Sequence, residues 1–378
     1  MTEPGGISHR WLCTGDEAYA AMNEAIRGAR ESIRLETYIY EAGEPGDTLR
    51  TSLIQAAQRG VKVSVLVDSF GSLALPEDYW ISLEHAGGEA AWFNPLSLGR
   101  FGFRDHRKML VCDEAVAFIG GFNIAPVYRG DGVTRGWRDL GLRVTGPVVA
   151  ELSDAFDEQF ERADLRHRRF TRLRNPRLPR PSLARTTQLL VSSPGRGMNP
   201  IKAALIHDFH HARDIAISCA YFLPTWHIRR ALTRAVRRGA RVRLILAGKS
   251  DVRLSQLATR GLYRALLRAG IEVYEYQPQV LHAKLLIMDD VTHVGSSNLD
   301  TRSLHLNYEL LVRFADAFLA AEARELFEAD LRHCRRIEWE VWRRERTFWH
   351  KLAERWASFL LRRVDPWLAR KQIGSPTH

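Results

Sequence analysis

The amino-acid sequence predicts an α/β protein made of two duplicated α/β sandwich halves, which pack about a pseudo-twofold axis and share one active site. Two observations support this prediction. One stretch occurs twice with the same spacing of glycine and proline, and a motif of histidine, lysine, aspartate and asparagine follows each copy. A chain of 378 residues, 45% apolar and 26% charged, is long enough to form two domains rather than one.

The repeat is visible when Leu83–Pro95 is aligned with Leu266–Pro278. The stretches read "LEHAGGEAAWFNP" and "LLRAGIEVYEYQP", and their matching glycines and prolines are both separated by 183 residues. Upstream, "AAQRGVKVSVLVD" and "AVRRGARVRLILAG" each predict the end of an amphipathic helix, a glycine stop and a buried strand rich in branched residues. Both halves therefore have the order helix, strand, helix, strand, motif, which is typical of an α/β fold.

The motif follows each copy of the repeat. It reads "DHRKMLVCDEAVAFIGGFN" from Asp105 to Asn123 and "LHAKLLIMDDVTHVGSSN" from Leu281 to Asn298. Residue frequencies give roughly one accidental HxKxxxxD match in a hundred such sequences, so two matches at equivalent places are not accidental. Both copies contain lysine although the chain has only seven lysines against forty-eight arginines. The motif therefore favours a compact ammonium group over a guanidinium.

These residue types suit phosphoryl transfer. Residues two apart in an extended strand point the same way, so His106 should lie beside Lys108, and His282 beside Lys284. An imidazole can act as nucleophile or as acid and base near neutral pH, while ammonium and amide groups bind non-bridging phosphate oxygens. One set supplies half of such a site. Two sets facing each other place a histidine on either side of one phosphorus.

Together the two motifs resemble the phospholipase D superfamily, whose signature is HxKxxxxD followed by a glycine turn and asparagine, twice per active site. The resemblance covers roughly Trp11 to Phe327. The stretches "RGWRDLGLRVTGPVV" and "SSNLDTRSLHLNYEL" are similar to the bacterial cardiolipin synthases, in the type that lacks N-terminal transmembrane helices. This resemblance implies transfer of a phosphatidyl group between two phosphatidylglycerol molecules, with release of glycerol. It also implies a phosphohistidine on His106 and no metal or other cofactor.

The resemblance assigns site residues as well. The catalytic set it implies contains the histidine, lysine and aspartate of each motif and two carboxylates that orient the histidines: His106, His282, Lys108, Lys284, Asp113, Asp289, Asp139 and Glu309. The expected phosphate-binding set is Lys108, Lys284, Asn123, Asn298 and Ser296. Gly121 stands where the second copy has Ser296, so either backbone amides serve that side or the half-sites are unequal. For Asp113 and Asp289, a role in the turn and the fold is the alternative.

Four segments are expected along the chain. Residues 1–164 form the first half, 165–185 an arginine- and proline-rich linker, 186–337 the second half and 338–378 a basic, tryptophan-rich C-terminal segment. The linker has eight arginines, three prolines and no acidic residue, which is typical of a solvated connector, with contact to an anionic surface as the alternative. In the last segment apolar residues recur at helical spacing beside a basic face: Trp349, Leu352, Trp356, Phe359, Leu360 and Trp367. This pattern predicts a helix lying on a membrane surface, or else one packed on the protein.

The net charge and the cysteine content of the chain limit where the protein is expected to act and what it is expected to bind. A net charge of +11 and an isoelectric point of about 9.8 indicate an anionic partner. Four widely spaced cysteines without a CxxC pair indicate a reducing compartment, and neither a signal peptide nor a transmembrane helix is expected. We therefore expect a peripheral membrane protein on the cytoplasmic face of the bacterial cell membrane. Its expected partners are the membrane surface, phosphatidylglycerol and cardiolipin, and not nucleic acid; oligomeric state does not follow from the sequence.

Other functions stay open at this level. They are a phospholipase D-type hydrolase, a transphosphatidylase that makes phosphatidylglycerol from phosphatidylethanolamine, a nuclease of the same superfamily, and a non-catalytic binding module. Intact motifs in both halves argue against the last, and a nuclease does not require the tryptophan-rich tail. The histidine-rich stretch His207–Asp214 is interpreted as an amphipathic helix rather than as a metal site.

Overall fold

The computed structural model describes residues 7–95, 103–163, 185–194 and 198–361. Within these ranges the chain forms two mixed β-sheets with flanking helices. The expected linker at 165–185 lies outside the described residues except for Arg185, so its character and the boundaries of the four segments stay predictions.

The first sheet has seven strands in the order β1-β7-β6-β5-β2-β3-β4. Its strands are β1 (His9–Leu12), β2 (Ser32–Thr37), β3 (Lys62–Asp68), β4 (Glu89–Phe93), β5 (Met109–Cys112), β6 (Val116–Gly120) and β7 (Gly141–Thr145). The helices of this half are α1 (Gly15–Gly28), α2 (Gly46–Gln58), α3 (Ile81–His85) and α4 (Val148–Phe160), with a short 3-10 turn at Pro126–Tyr128. Strands β2, β3 and β4 are parallel neighbours, and the remaining pairs are antiparallel.

The second sheet has eight strands in the order β8-β14-β13-β12-β9-β10-β11-β15. Its strands are β8 (Thr187–Ser192), β9 (Asp214–Cys219), β10 (Arg241–Ala247), β11 (Glu272–Tyr276), β12 (Lys284–Met288), β13 (Val291–Gly295), β14 (Glu309–Ala315) and β15 (Cys334–Arg336). The helices are α5 (Pro200–His211), α6 (Trp226–Arg237), α7 (Arg253–Arg260), α8 (Tyr263–Arg268), α9 (Thr301–His305), α10 (Ala317–Leu331), α11 (Trp339–Glu345) and α12 (Phe348–Phe359).

The two sheets repeat each other strand for strand, with β15 added at one edge of the second. Strands β9, β10 and β11 are parallel neighbours, as β2, β3 and β4 are in the first half. The repeated strands β3 and β10 are buried after their first residue, because both have parallel neighbours on either side and helices over them. Gly60 and Gly239 stop the preceding helices with φ angles of 88° and 94°. The prediction of a duplicated α/β fold is confirmed.

Among the described residues, three apolar clusters stabilise the fold. One belongs to the first half and one to the second half. The third contains side chains from both sheets together with Phe156 of α4 and Phe327 of α10, so it joins the two halves. Each large side chain buried there contributes roughly 1.5–3 kcal/mol, which fixes how the two halves face each other.

The described part of the C-terminal segment forms α11 and α12. Trp342 and Ala357 lie in the apolar cluster of the second half, and the buried carboxylate of Glu354 is paired with Arg346. The other side of α12 is open to solvent, with Trp349 at 73% exposure. Thus α12 is amphipathic, with one side on the protein and an aromatic side outward; Trp367 lies outside the described residues. None of the described helices is long and apolar enough to cross a bilayer.

Candidate active site

The two motif segments are joined by backbone pairing between the halves. Two isolated parallel β-bridges make the connection. In one, the N–H of His106 donates to the carbonyl of Tyr308 at 2.9 Å. In the other, the N–H of His282 donates to the carbonyl of Arg138 at 2.7 Å. Each histidine is thereby fixed beside the residue that immediately precedes a carboxylate of the opposite half.

These carboxylates lie on the histidine rings in a crossed arrangement. Nδ1 of His106 lies 3.0 Å from Oε1 of Glu309, and Nδ1 of His282 lies 2.6 Å from Oδ2 of Asp139. A carboxylate on Nδ1 holds the proton on that atom and leaves Nε2 for bond formation or proton transfer. The sequence predicts both residues as orienting groups, and the structure places each of them on the histidine of the other half.

The two motif lysines are buried beside the histidines. Nζ of Lys284 lies 2.9 Å from Nδ1 and 3.1 Å from Nε2 of His282, and Nζ of Lys108 donates to the carbonyl of His106 at 2.7 Å. Strand β12 begins at Lys284 and β5 at Met109, so both histidines precede their strands instead of lying in them. Histidine and lysine nevertheless lie side by side, as the spacing predicts.

Burial and mutual repulsion favour the neutral forms of these bases. The pKa of His106 is held well below its ordinary value by burial and by the charges of Lys108, Lys284 and His282. Burial lowers the pKa of Lys108 to about 7 and also lowers those of Lys284 and His282. The cationic groups of the two motifs therefore repel one another within one site, and a bound anion would relieve that repulsion.

The two orienting carboxylates differ in protonation. Burial raises the pKa of Glu309 to about 7. Burial acts in the same direction on Asp139, but the charges of His282 and Lys284 outweigh it and hold the pKa of Asp139 below its ordinary value. Asp139 therefore opposes the lowering of the His282 pKa, because its charge favours the protonated ring, whereas Glu309 is the more readily protonated carboxylate.

The first motif has Gly121 where the second has Ser296, because the carboxylates Asp139 and Glu309 occupy the space beside these two positions differently. The hydroxyl of Ser296 donates to Oε2 of Glu309 at 2.5 Å and accepts from the N–H of Leu310 at 3.1 Å. At Gly121 an added Cβ would stand 2.1 Å from Oδ1 of Asp139, so the shorter carboxylate occupies the space that a serine would need. The half-sites are unequal for this reason. Contact of Ser296 with a phosphate stays a prediction, and in the structure its hydroxyl supports Glu309.

The motif asparagines are both buried near the histidines. Asn123 uses both ends of its amide within the first half: Oδ1 accepts from the N–H of Ile39 at 3.1 Å, and Nδ2 donates to the Tyr128 hydroxyl at 2.6 Å. Asn298 is 2% exposed, and its Oδ1 has no hydrogen-bond partner among the described residues. Of the two amides, that of Asn298 is the better placed to bind substrate oxygens, and phosphate contact by either remains a prediction.

The motif aspartates lie at the far ends of the strands, away from the histidines. Asp113 accepts from the backbone N–H groups of Glu31 and Ser32 at 2.8 and 2.9 Å. Asp289 accepts from the N–H of Asp214 at 2.8 Å, and both aspartates have φ near +50° in the turns that follow β5 and β12. This placement favours the alternative, a role in the turn and the fold, and direct catalysis by either aspartate stays a prediction. They close the turns and hold the start of β2 and β9, while the length of the strand separates them from the site.

Aromatic rings from outside the two motifs line the site. The ring centre of His282 is 5.3 Å from that of Tyr128, 5.7 Å from Trp137 and 6.4 Å from Tyr221, and that of His106 is 5.0 Å from Tyr38. Tyr38 and Tyr221 follow the equivalent strands β2 and β9 within two residues. Extending the repeat alignment to those strand ends would have identified them.

The histidine-rich stretch is part of a packed helix. Within α5, Asp208 accepts from Arg313 at 2.9 Å and lies 2.7 Å from Nε2 of His293, so it ties the helix to β13 and β14. In the part of the chain that the structure describes, no three His, Cys, Asp or Glu side chains are grouped to hold a metal ion.

Comparison with known proteins gives one family model and several relatives. The model described as "Cardiolipin synthase, PLD-like domain" matches residues 22–163 and 205–331. The chain is 34% identical over 359 residues to cardiolipin synthase B of Salmonella typhimurium, which covers 90% of this chain and 84% of that protein. It is 33% identical over 337 residues to cardiolipin synthase A of Pseudomonas syringae, and this match covers 86% of this chain and 69% of that protein. The crystal structure of phosphatidylserine synthase from Haemophilus influenzae has the same fold, with a TM-score of 0.71, 14% identity, and coverage of 96% and 94%.

Proposed function

The chain belongs to the cardiolipin synthase family with phospholipase D-like domains, and from that premise we propose that it transfers the phosphatidyl group of one phosphatidylglycerol to a second, forming cardiolipin and releasing glycerol. The observation that carries the proposal is the pair of buried histidines, each with a carboxylate of the opposite half on Nδ1. This arrangement supplies two reactive Nε2 atoms in one site, as a two-step displacement at phosphorus requires.

In the first step, His106 attacks the phosphorus of the donor lipid. Its lowered pKa keeps the imidazole neutral, so the Nε2 lone pair is free. As the Nε2–phosphorus bond forms, the bond from phosphorus to the glycerol oxygen breaks, and His282 gives that oxygen a proton. Burial lowers the pKa of His282, but ionised Asp139 on Nδ1 and the negative phosphodiester of the donor lipid both favour the protonated ring for this step. Glu309 then faces the positive charge that develops on the phosphorylated ring of His106.

In the second step, the acceptor phosphatidylglycerol takes the place of the released glycerol. His282, now neutral, removes the proton from the acceptor hydroxyl as its oxygen attacks phosphorus. The Nε2–phosphorus bond to His106 breaks, and both histidines return to their starting protonation states. The aromatic rings around the histidines limit the access of water, which favours a lipid hydroxyl over hydrolysis.

The two lysines supply the charge that the reaction needs. The non-bridging oxygens become more negative as the pentacoordinate phosphorus forms, and Lys108 and Lys284 are both buried where a compact ammonium interacts strongly with them. An oxygen bound there favours the charged forms of both lysines, whose pKa values burial otherwise lowers. The charge of the site is therefore more complementary to a negatively charged phosphodiester than to water.

We place the enzyme at the cytoplasmic face of the cell membrane as a peripheral protein. The outward side of α12 supports the attachment to a membrane surface, because Trp349, Trp356 and Phe359 are 73%, 59% and 54% exposed on one helix. Tryptophan favours the headgroup region of a bilayer. A helix that only packed on the protein would bury these rings.

The experiment that tests the reaction is an assay of purified enzyme with phosphatidylglycerol vesicles, with and without phosphatidylethanolamine, read by mass spectrometry. We expect equimolar cardiolipin and glycerol from phosphatidylglycerol alone. Phosphatidic acid as the main product would instead identify a hydrolase. New phosphatidylglycerol made from phosphatidylethanolamine and glycerol would identify a transphosphatidylase, and cleavage of DNA without any lipid turnover would identify a nuclease.

A further inference from the structure

A cavity of about 650 Å³ lies between α8 and the C-terminal helices α11 and α12. Six cationic side chains line it: Arg264, Arg268, Arg343, Arg346, Lys351 and Arg355. Its volume is in the range of small-molecule sites. No residue of the catalytic site contributes to its lining, so it is separate from the two histidines.

Carboxylates neutralise only part of this charge. Arg346 is paired with Glu354, with Nε 3.1 Å from Oε1, and Arg343 lies 3.3 Å from Glu340. Within the described ranges no ion pair joins the remaining four cations to an acidic residue: Arg264, Arg268, Lys351 and Arg355. The cavity therefore has an excess of positive charge that an anion can balance.

The four cations are spaced so that they repel one another in pairs unless an anion is bound between them. Arg264 and Arg268 are four residues apart on α8, and Lys351 and Arg355 are four residues apart on α12. Side chains at this spacing are neighbours on a helix surface, and like charges there repel. The guanidinium of Arg268 also lies 5.3 Å from the ring centre of Trp339, which fixes it at the wall of the cavity. A bound phosphate would convert both repulsive pairs into ligand pairs.

The orientation of α12 indicates what accompanies the phosphate. Residues Lys351, Arg355 and Phe359 share one stripe of the helix and line the cavity. On one side of the stripe Glu354 and Ala357 are buried against the protein, and on the other Trp356 and Trp349 are exposed. A ligand with its phosphate in the cavity would therefore have an apolar aromatic surface directly beside it.

From this combination we infer that the cavity binds the phosphate-bearing headgroup of an anionic phospholipid, whose acyl chains lie along the exposed aromatic side of α12. The site selects anionic over neutral membrane, whereas the aromatic side chains contribute to both. It is an accessory lipid site and does not depend on which reaction the two histidines perform.

Two double variants of the chain each remove the cations of one wall of the cavity: Arg264→Gln with Arg268→Gln, and Lys351→Gln with Arg355→Gln. Arg234→Gln with Arg237→Gln is the matched control, because it removes the same charge from exposed positions on α6. Partition is measured on phosphatidylcholine vesicles with and without phosphatidylglycerol. We expect the ratio of anionic to neutral affinity to fall about tenfold or more in each cavity variant and less than about twofold in the control. Equal losses in all three variants would show diffuse charge attraction and overturn the inference.

Soluble competitors separate a lipid headgroup from free phosphate. Glycerophosphoglycerol, at constant ionic strength, should displace the wild-type chain from phosphatidylglycerol vesicles at concentrations where inorganic phosphate does not. Equal displacement by inorganic phosphate would make the cavity a general phosphate site. If the cavity variants lose affinity for a single-stranded oligonucleotide while their preference for anionic vesicles is unchanged, the site serves nucleic acid instead, and the lipid assignment fails.

Discussion

His106 and Glu309 belong to different halves of the duplicated chain, yet Nδ1 of His106 lies 3.0 Å from Oε1 of Glu309. The same crossing joins His282 to Asp139 at 2.6 Å. Each histidine therefore depends on the opposite half for its carboxylate. In this fold, duplication does not give the chain two sites. It gives one candidate site in which each motif histidine is held by a carboxylate of the other half.

The raised pKa of Glu309 should make the unfolding free energy of the protein depend on pH. Burial raises that pKa from 4.5 to about 7, so the folded state binds a proton that the unfolded state has lost. The contribution of Glu309 to stability is then fully present below pH 4.5 and is lost as the pH rises through 7. Glu309→Gln does not titrate. We expect the unfolding free energy of wild type minus that of the variant to decrease by about 2–3 kcal/mol between pH 5 and pH 8.

Chemical denaturation of both proteins at a series of pH values measures this difference. Asp139→Asn is the comparison, because the pKa of Asp139 is lowered and its contribution is present above about pH 4 and lost only on acidification. A difference for Glu309→Gln that is constant from pH 5 to pH 8 would contradict a raised pKa.

Replacing the motif lysines by arginine should impair the reaction although charge is retained. Lys284 is 2% and Lys108 3% exposed, so neither site has room for the larger guanidinium without displacing a histidine. We expect Lys108→Arg and Lys284→Arg each to lower kcat/KM by about 10²-fold or more. Lys62→Arg, at the exposed first residue of β3, is the matched control and should be near wild type. Near-normal kinetics of both motif variants would mean that only charge matters.

Gly121→Ser should be damaging although serine stands at the equivalent position of the second half. A Cβ at Gly121 would lie 2.1 Å from Asp139, so the carboxylate must move and release His282. We expect loss of about 1–3 kcal/mol in stability and at least about tenfold in kcat. Gly28→Ala is the control, because nothing lies within 4 Å of its added Cβ. A fully active Gly121→Ser would show that the close approach of Asp139 is not needed.

The motif aspartates should affect stability and not chemistry. Asparagine at 113 or 289 tolerates the positive φ of these turns but removes the charge that accepts the backbone N–H groups. We expect Asp113→Asn and Asp289→Asn each to lower the unfolding free energy by about 1–2 kcal/mol, with kcat of the folded enzyme within about twofold of wild type. The exposed neighbour Asp290→Asn should change neither. A large fall in kcat at full stability would restore these residues to the catalytic set.

The duplicated fold and the central residues could be predicted because their signals are local. The strand pattern of β3 and β10 and the HxKxxxxD spacing are visible in the sequence, and the predicted family is confirmed by the matching model and relatives. For Asp113 the sequence leaves two roles open, catalysis or closure of the turn, and does not decide between them. A motif groups residues by spacing, and only the length of the strand between His106 and Asp113 shows that they are at opposite ends.

The crossing of the carboxylates could not be predicted either. Asp139 follows His106 by 33 residues and Glu309 follows His282 by 27, so spacing alone is compatible with pairs inside each half. Packing between the two sheets determines that the pairs form across the halves, because it brings Tyr308, the neighbour of Glu309, to His106. The supporting aromatic rings, such as Tyr38, were missed because they lie outside the motif and are brought to it by the ends of the parallel strands.

The central claim is that one histidine takes the phosphatidyl group while the other transfers protons. It is tested most directly by rapid alkaline quenching of the wild-type enzyme during a single turnover of isotopically labelled phosphatidylglycerol, followed by peptide mapping. Quenching should trap the labelled phosphatidyl group on Nε2 of His106. His106→Ala should show no adduct, and both His106→Ala and His282→Ala should lose about 10³-fold or more in steady-state turnover. Label on His282 would reverse the two roles. Full turnover by His106→Ala, or cardiolipin formed in a single turnover without any protein-bound label, would contradict the account.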